Sequence, residues 1–286
     1  DALTLGLTAW YAGHDMSFDF SHIRPAGARL KTMGGKASGP EPLRSLLDFA
    51  REKIIRRQGR RLRPLDVHDI ICKIGECVVS GGVRRTAMIS LSDLDDTDMR
   101  DAKKGQFFLT EPHRSVANNS AVYAEKPSSA ELMEEWVALM KSGSGERGIF
   151  NRGALKETLP ARRSAYFKKT GFIGADGVVR GPIGTNPCGE IILQSKQFCN
   201  LSEVIARAED THESLLRKTR LAALLGTYQA TLTKFNYISS AWAKHCADER
   251  LLGVSVTGQW DSEVVRNLAR DARHGRPNER GVCQTF

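Results

Sequence analysis

The chain has 286 residues, 41% of them apolar and 26% charged, which is enough apolar material to bury a sizeable core in one large domain or two small ones. Its net charge of +9 is compatible with a partner that is nucleic acid, an acidic surface or a phosphorylated small molecule. No stretch has the pattern of a secretory signal or of a membrane span of about 20 apolar residues, so we predict a soluble, cytoplasmic protein without a membrane partner.

Two helices are predicted in the first third of the chain. One carries apolar residues at three- and four-residue spacing from Leu43 to Ile54, and the other runs through Ile70 and Ile74 after Asp66, which is predicted to be its N-cap. The basic run 51–63 (REKIIRRQGRRLR) holds much of the excess positive charge. We interpret this run as a solvated helix end and the loop after it. Because no aromatic residues interleave with its charges, nucleic acid is disfavoured as a partner.

Helical and extended patterns alternate along the rest of the chain. Strands are predicted at 83–91 (VRRTAMISL), 113–123 (HRSVANNSAVY) and 249–258 (ERLLGVSVTG). Helices are predicted from a cap at Ser128 or Ser129 through Leu139, and from Glu213 to Phe235. Strands separated by helices of this length favour parallel pairing, and therefore an α/β fold that is either a barrel or a layered sheet.

The glycine-rich segment 171–184 (GFIGADGVVRGPIG) is predicted to be a loop. It leads into the segment 184–204, whose sequence is GTNPCGEIILQSKQFCNLSEV. Glycines at this point would let the backbone turn tightly and approach a ligand, and they are equally typical of an ordinary hairpin turn. Both interpretations remain open from the sequence.

The segment that follows places Asn186, Cys188 and Glu190 at alternate positions. Pro187 biases Asn186 toward an extended conformation, and if the extension persists, the three side chains share one face. That face would carry a hydrogen-bonding amide, a thiol that can act as nucleophile or hydrogen-atom shuttle, and a general base. The alternative is a Pro-Cys-Gly turn with a surface glutamate.

A second thiol, Cys199, follows eleven residues after Cys188. The polar linker Gln194–Gln197 is predicted to return the chain beside itself and bring the two thiols together. Two thiols near a carboxylate indicate a redox reaction in which the protein is the reductant, whereas the absence of histidine from the segment disfavours a Cys-His protease. The chain has six cysteines and no CxxC pair among them: Cys72, Cys77, Cys188, Cys199, Cys246 and Cys283. This spacing argues against a zinc ribbon or a disulfide scaffold, and no metal site is expected.

At these residues the chain resembles a known family. "NPCGEI" followed by "FCNLSEV" is similar to the active-site loop of ribonucleotide reductase catalytic subunits. Further blocks resemble the adenosylcobalamin-dependent class (class II): "IRPAGARLKTMGGKASGPEPL", "GECVVSGGVRRTAMISLSDLDD", "SVANNSAVY", "SGERGIFNR" and "ERLLGVSVTGQWD". The resemblance implies a ten-stranded α/β barrel, here incomplete, with the cysteine loop threading its centre, and adenosylcobalamin as cofactor. It divides the chain into the central part of the barrel, 1–261, and a divergent or truncated tail, 262–286.

The resemblance also implies roles for individual residues. Cys188 matches the cysteine that becomes a thiyl radical and takes the 3′ hydrogen of the ribose. Glu190 matches the carboxylate that removes the 3′-hydroxyl proton, and Asn186 matches the amide that hydrogen-bonds the sugar. Cys199 matches one of the two thiols that reduce the intermediate as the 2′-hydroxyl leaves as water. The resulting disulfide must be reset by thioredoxin or a similar reductant.

Two other blocks carry candidate contacts to substrate or effector. Gly34, Gly35 and Lys36 lie in a block that resembles the segment near the nucleotide effector and specificity loops, where they could approach phosphate, although a tight structural turn explains them equally well. Asn118 and Asn119 are candidates for facing the substrate, or for satisfying backbone groups at a strand end.

The chain also departs from the family pattern. The other reducing cysteine of the family lies upstream of "GGKASGP", so its counterpart is expected to be missing. Cys77 stands where the family does not place that thiol, and it is better explained by helix packing. The tail lacks the family's phosphate-binding loop and its paired C-terminal cysteines, since Cys283 has no neighbouring thiol. We therefore expect a partial subunit.

The predicted partners are a ribonucleotide substrate, as diphosphate or triphosphate, a nucleotide effector and a thioredoxin-type reductant. Two alternatives remain. One is the large subunit of the reductase class that receives its radical from a separate metal-containing subunit, because that class shares the central motif. The other is an inactive fragment, or a basic remnant that binds nucleotides or nucleic acid.

Overall fold

The computed structural model describes residues 1–31, 34–80, 83–84, 86–144 and 146–273. The chain divides into two compact units. The first consists of Asp1–Gly181 and Thr185–Glu190, and the second of Pro182–Gly184 and the chain from Ile191 onward. Cys283 lies outside the described residues. The predicted boundary after residue 261 stays a prediction.

Three helices of the first unit pack through one apolar cluster. They are α1 (Ala2–Tyr11), α2 (Glu41–Ile55) and α3 (Pro64–Cys77). The predicted spacing on α2 is confirmed, because the buried positions recur at three- and four-residue intervals and join side chains from the other two helices: Leu46, Leu47, Ala50 and Ile54 of α2, Trp10 of α1 and Ile70 of α3.

Helix α3 begins before the predicted cap. Arg63 is its N-cap and Pro64 is its first residue, a position where proline costs nothing because the first N–H groups of a helix have no partner within it. Asp66 is instead the third helical residue, and its carboxylate accepts a hydrogen bond from the Arg63 backbone N–H at 3.1 Å. The prediction of Asp66 as the N-cap was therefore wrong, although its carboxylate does cap the helix start.

The first unit contains a short hairpin and a parallel sheet. β1 (Val79–Ser80) and β2 (Val83–Arg84) pair antiparallel, and β3 (Met88–Ser92), β4 (Ala117–Tyr123) and β5 (Gly148–Asn151) form a parallel sheet with β4 in the middle. The strand predicted at 83–91 is therefore divided between β2 and β3. The strand predicted at 113–123 begins only at Ala117, because Pro112–Val116 is a 3-10 helix.

Five helices lie between or after the strands of this parallel sheet in the chain. α4 (Thr97–Arg100) and α5 (Phe107–Thr110) lie between β3 and β4 in the chain, and α6 (Ser129–Ser142) lies between β4 and β5. The predicted cap of α6 is confirmed, since the Ser128 side chain accepts from the Glu131 backbone N–H at 3.2 Å. α7 (Leu155–Thr158) and α8 (Ala161–Lys169) follow β5.

The described part of the second unit has two small sheets and three helices. β6 (Ile183–Thr185) pairs with β7 (Ile192–Gln194), and β8 (Asn200–Ile205) pairs in parallel with β9 (Leu252–Thr257). Between β8 and β9 the chain forms α9 (His212–Thr231) and α10 (Ser240–Glu249), and α11 (Glu263–Arg273) follows β9. α9 confirms the predicted long helix but ends four residues early, and it packs on β8 through a small core: Val204, Ala206, Leu215 and Ala222.

The parallel pairing of β3, β4 and β5, and of β8 with β9, confirms the predicted α/β class. The sheets of the described residues have two or three strands each. None of the helices in the described ranges combines the length and apolar character that a bilayer-spanning helix needs.

Candidate active site

The cysteine motif forms a turn, and the expected extended segment is not present. The Gly189 backbone N–H donates to the Asn186 carbonyl at 3.0 Å, and Gly189 has a φ of +89°. Asparagine first, proline second and glycine fourth is the residue pattern that a type I turn prefers. Pro187 restrains only the residue before it, so the extended bias does not reach Cys188. The predicted alternative, a Pro-Cys-Gly turn with a surface glutamate, describes this backbone.

The turn brings the amide and the carboxylate of the motif together. Asn186 Nδ2 donates to Glu190 Oε1 at 2.6 Å, and Thr185 Oγ1 donates to Asn186 Oδ1 at 3.2 Å. Cys188 and Glu190 are exposed and Asn186 is half-buried. A hydrogen-bond donor, a carboxylate and an accessible thiol are thus carried by five consecutive residues, which is the set that proton abstraction and hydrogen-atom transfer require.

The two asparagines of β4 have different surroundings. Asn118 is exposed, and its Nδ2 donates to the Pro187 carbonyl at 2.5 Å. Asn119 is buried, and its Oδ1 contacts His68 Nε2 at 3.2 Å. Successive side chains of a strand point to opposite faces, so only Asn118 reaches the cysteine turn. The sequence predicted both asparagines as candidates for contacting substrate. It gave no signal for the contact of Asn118 with Pro187, because 69 residues separate these two partners.

Cys199 lies in the second unit, immediately before β8. Its thiol is half-buried and contacts the Asn200 carbonyl at 3.7 Å. The preceding Phe198 ring packs against Phe235 and Trp242, with ring centroids 5.0 and 5.7 Å away. Cys199, which is predicted to be one of the two reducing thiols, therefore lies between a packed aromatic residue and the start of a parallel strand.

The linker Gln194–Gln197 does not fold the chain back as a hairpin. β7 pairs with β6 and β8 pairs with β9, so the strands on either side of the linker have other partners. Gln197 explains the difference, because its Oε1 accepts from the Gln194 backbone N–H at 3.2 Å while its Nε2 donates to Glu249 at 2.9 Å. The buried Gln197 side chain thus ties the linker to the end of α10.

The candidate effector residues Gly34, Gly35 and Lys36 lie in an exposed antiparallel loop of the first unit. The Leu30 backbone N–H donates to the Gly35 carbonyl at 3.0 Å, and both glycines have positive φ, +68° and +79°. This conformation is the one that favours glycine, so the local backbone alone accounts for both residues. A role in binding phosphate stays a prediction.

A buried ion network in the first unit was missed by the sequence analysis. Asp69 on α3 accepts from Arg114 Nε at 2.6 Å and Nη2 at 2.9 Å, and from Lys53 Nζ at 2.7 Å. Burial disfavours the ionised form, but hydrogen bonds from Arg114, His113, His68 and Lys53 outweigh it and lower the pKa of Asp69 well below its usual range. The available signal was a charged residue, Asp69, directly before the apolar pair Ile70 and Ile71 of the predicted helix.

The same network contains the one group of possible metal ligands found among the described residues. Asp69, Glu111 and His113 place ligand atoms within 4.8 Å of one another. Both carboxylate oxygens of Asp69 already accept from Arg114 and Lys53, whose positive charges occupy the position of a cation. We therefore interpret this group as part of the ion network.

Cys72, next to this network, is a structural thiol. Its side chain is fully buried, and burial raises its pKa to about 12, with the Asp69 charge acting in the same direction. Burial also raises the pKa of Cys77, which is half-buried at the end of α3. Both observations favour a packing role for these two cysteines.

No family model matches the chain. The chain is similar, however, to several curated proteins that share one name. The adenosylcobalamin-dependent ribonucleoside-triphosphate reductase of Lactobacillus leichmannii is 34% identical over 254 residues, covering 87% of this chain and 31% of that protein. The enzyme of the same name from Lacticaseibacillus paracasei is 37% identical over 244 residues, covering 85% and 30%. The one from Euglena gracilis is 30% identical over 249 residues, covering 85% and 31%.

A solved structure agrees with these relatives. The crystal structure of a B12-dependent (class II) ribonucleotide reductase matches 88% of this chain and 32% of its own chain, with a TM-score of 0.62 and 29% identity. The chain spans about a third of the length of the relatives it matches. These matches confirm the resemblance that the motifs predicted.

Proposed function

We propose that this chain, homologous over most of its length to adenosylcobalamin-dependent ribonucleotide reductases, carries the radical-bearing core of such an enzyme and reduces ribonucleotides to 2′-deoxyribonucleotides. The observation that carries the proposal is the Asn186–Glu190 turn, which exposes Cys188 and joins the amide of Asn186 to the carboxylate of Glu190 at 2.6 Å. The names of the relatives favour ribonucleoside triphosphates as substrates.

In the proposed reaction each group of the turn has one task. The sulfur of Cys188, as a thiyl radical, takes the hydrogen atom from C3′ of the ribose and becomes a thiol. The Glu190 carboxylate accepts the proton of the 3′-hydroxyl, and the Asn186 amide donates a hydrogen bond to the sugar. The 2′-hydroxyl then leaves as water after receiving a proton, and C3′ recovers its hydrogen atom from the Cys188 thiol at the end of the cycle.

Adenosylcobalamin, when bound, supplies the radical that removes the hydrogen atom from the Cys188 thiol. The exposure of Cys188 at the tip of its turn fits such a partner, because the thiol is accessible from outside the first unit. We assign none of the described residues to hold the corrin ring. The alternative class, which receives its radical from a separate metal-containing subunit, uses the same turn, and the relatives' names favour the cobalamin class.

The reducing electrons come from two thiols, of which Cys199 is one. Oxidation of the two thiols to a disulfide supplies the two electrons and two protons that replace the 2′-hydroxyl by hydrogen and release it as water. A thioredoxin-type reductant then reduces the disulfide to two thiols again. Cys72 is a poor choice for the second thiol, because burial raises its pKa to about 12 and encloses its sulfur. We propose that the second thiol lies in the part of the reductase that this chain does not match.

The remaining proposals follow from the same homology. By this homology we expect a ten-stranded α/β barrel in the whole reductase and a nucleotide effector that regulates it. A thiyl radical requires a site closed to water, so substrate and cofactor would cover the exposed Cys188 during turnover. The boundary after residue 261 separates the barrel segment from the divergent tail.

The test is deoxynucleotide formation by the purified chain with the four ribonucleoside triphosphates, adenosylcobalamin and dithiothreitol. Dithiothreitol supplies the second thiol in this assay, so we expect product from the wild-type chain, none from Cys188→Ser, and unchanged product from the matched control Cys77→Ser. Product that persists in Cys188→Ser would exclude the assigned radical site. A wild-type chain that forms no product would contradict the proposal that this chain is catalytic, and steep salt-dependent binding to duplex DNA would then favour the basic remnant.

A further inference from the structure

Asn118 is joined to the cysteine turn by one hydrogen bond, and we propose that this bond positions the Cys188 thiol. The donor is Asn118 Nδ2 and the acceptor is the Pro187 carbonyl, 2.5 Å away. Asn118 belongs to β4, which is paired on both edges, with β3 and with β5. The turn is thereby attached to the most strongly supported strand of the described sheet.

The position of the acceptor within the turn gives the bond its effect. The Pro187 carbonyl belongs to the peptide between the second and third residues of the turn Asn186–Gly189. Type I and type II turns differ by a rotation of this central peptide, and the rotated form requires a positive φ at the third residue. That residue is Cys188, which is not among the described non-glycine residues with positive φ.

Rotation of this peptide would therefore do two things at once. It would carry the Pro187 oxygen away from Asn118 and break the hydrogen bond, and it would turn the Cα–Cβ bond of Cys188 in a new direction. Asn118 opposes both changes, because its Nδ2 can donate to the Pro187 carbonyl only when that carbonyl faces β4. The register of the donor is fixed in turn by Asn119, whose buried side chain contacts His68 on the other face of the strand.

Asn118 is thus a positioning residue that acts through the turn. Its catalytic meaning rests on the proposed function, but the restraint on the turn can be tested without any activity. Two variants remove the donor: Asn118→Ala shortens the side chain, and Asn118→Asp keeps its shape while an ionised carboxylate offers only acceptors to the Pro187 oxygen. The matched control is Asn151→Ala, another exposed asparagine at the end of the neighbouring strand β5.

The first readout is amide hydrogen exchange of Gly189 in the 286-residue chain, followed by NMR. The Gly189 N–H closes the turn on the Asn186 carbonyl, so its exchange reports the opening of the turn. We expect exchange about fivefold faster in Asn118→Ala and Asn118→Asp, the change that one hydrogen bond of ordinary net strength produces. Asn151→Ala should leave it unchanged. An unchanged Gly189 exchange rate in Asn118→Ala, with the fold intact, would overturn the inference.

The second readout is the kinetics of nucleotide reduction with adenosylcobalamin. A misdirected thiol slows hydrogen-atom transfer without weakening substrate binding, so kcat should fall about tenfold in Asn118→Ala while KM stays the same. A change confined to KM would contradict positioning and favour direct contact between Asn118 and substrate. If no variant forms deoxynucleotide, wild type included, the proposed function fails, and the Gly189 exchange rates still decide the inference about Asn118.

Discussion

Removal of Arg114 from the buried ion network should destabilise the first unit strongly. Asp69 is 1% exposed, and Arg114 supplies two of its hydrogen bonds, at 2.6 and 2.9 Å. Removing one partner of a buried ion pair costs about 3–5 kcal/mol, because the other charge remains buried. Lys53 still contacts Asp69 at 2.7 Å in Arg114→Met, so we expect the lower end, about 3 kcal/mol.

Urea unfolding measures this difference. Trp10, which is 1% exposed in the core of the first unit, contributes a fluorescence change when that unit unfolds. With a slope of about 2 kcal/mol per molar urea, the midpoint should move down by about 1.5 M in Arg114→Met. The matched control is Arg44→Met, because Arg44 forms an exposed pair with Glu41 at 3.3 Å and lies 4.3 Å from the centre of the Phe20 ring, and together these contacts should contribute only about 1 kcal/mol. Equal shifts in the two variants would refute the reasoning.

The same network predicts a pH dependence with a definite sign. The pKa of Asp69 is lower in the folded protein than its unfolded value of about 4. Its contribution to stability is therefore complete above about pH 4 and is lost as the pH falls toward the folded-state pKa. Asp69→Asn should flatten the fall in the free energy of unfolding below pH 4, and a slope as steep as that of wild type would contradict this assignment.

Three further predictions concern single residues. Glu190→Gln should keep the turn, since the glutamine amide oxygen still accepts from Asn186. It should abolish deoxynucleotide formation, because the amide cannot take up a proton as the carboxylate does. Activity within tenfold of wild type would exclude Glu190 as the base. Ser128→Ala should lower the free energy of unfolding by about 1 kcal/mol in urea titrations because α6 loses its cap, whereas no loss would show that the cap is dispensable. At pH 8 iodoacetamide should modify the peptide of the exposed Cys188 and spare buried Cys72, whose pKa is raised to about 12, and equal labelling would contradict the burial of Cys72.

Local signals predicted much of the fold. The helical spacing from Leu43 to Ile54 and the cap at Ser128 correspond to α2 and α6, because both depend on residues within one or two turns of each other. Parallel pairing followed from the alternation of strands and helices. The start of α3 was misplaced because Pro64 is as good a helix start as Asp66 is a cap, and the sequence does not rank the two.

The geometry of the site was less accessible from sequence. Residue types at positions 186, 188 and 190 indicated the chemistry, but the bias of Pro187 was extended one residue too far, and Gly189 turned the chain instead. The contacts that hold the site and the core join distant positions: Asn118 with Pro187, and Arg114 with Asp69. Such pairs depend on the tertiary fold, for which one sequence carries no periodic or local signal.

The most direct test of the central claim is an isotope effect on deoxynucleotide formation. The chain is supplied with adenosylcobalamin, dithiothreitol and either ordinary ribonucleoside triphosphate or the same nucleotide deuterated at C3′. If Cys188 takes the 3′ hydrogen atom, the deuterated substrate reacts more slowly in single turnovers, and Cys188→Ser forms no product from either. Equal rates with both substrates, together with product from Cys188→Ser, would contradict the assignment of Cys188 as the radical that opens the reaction.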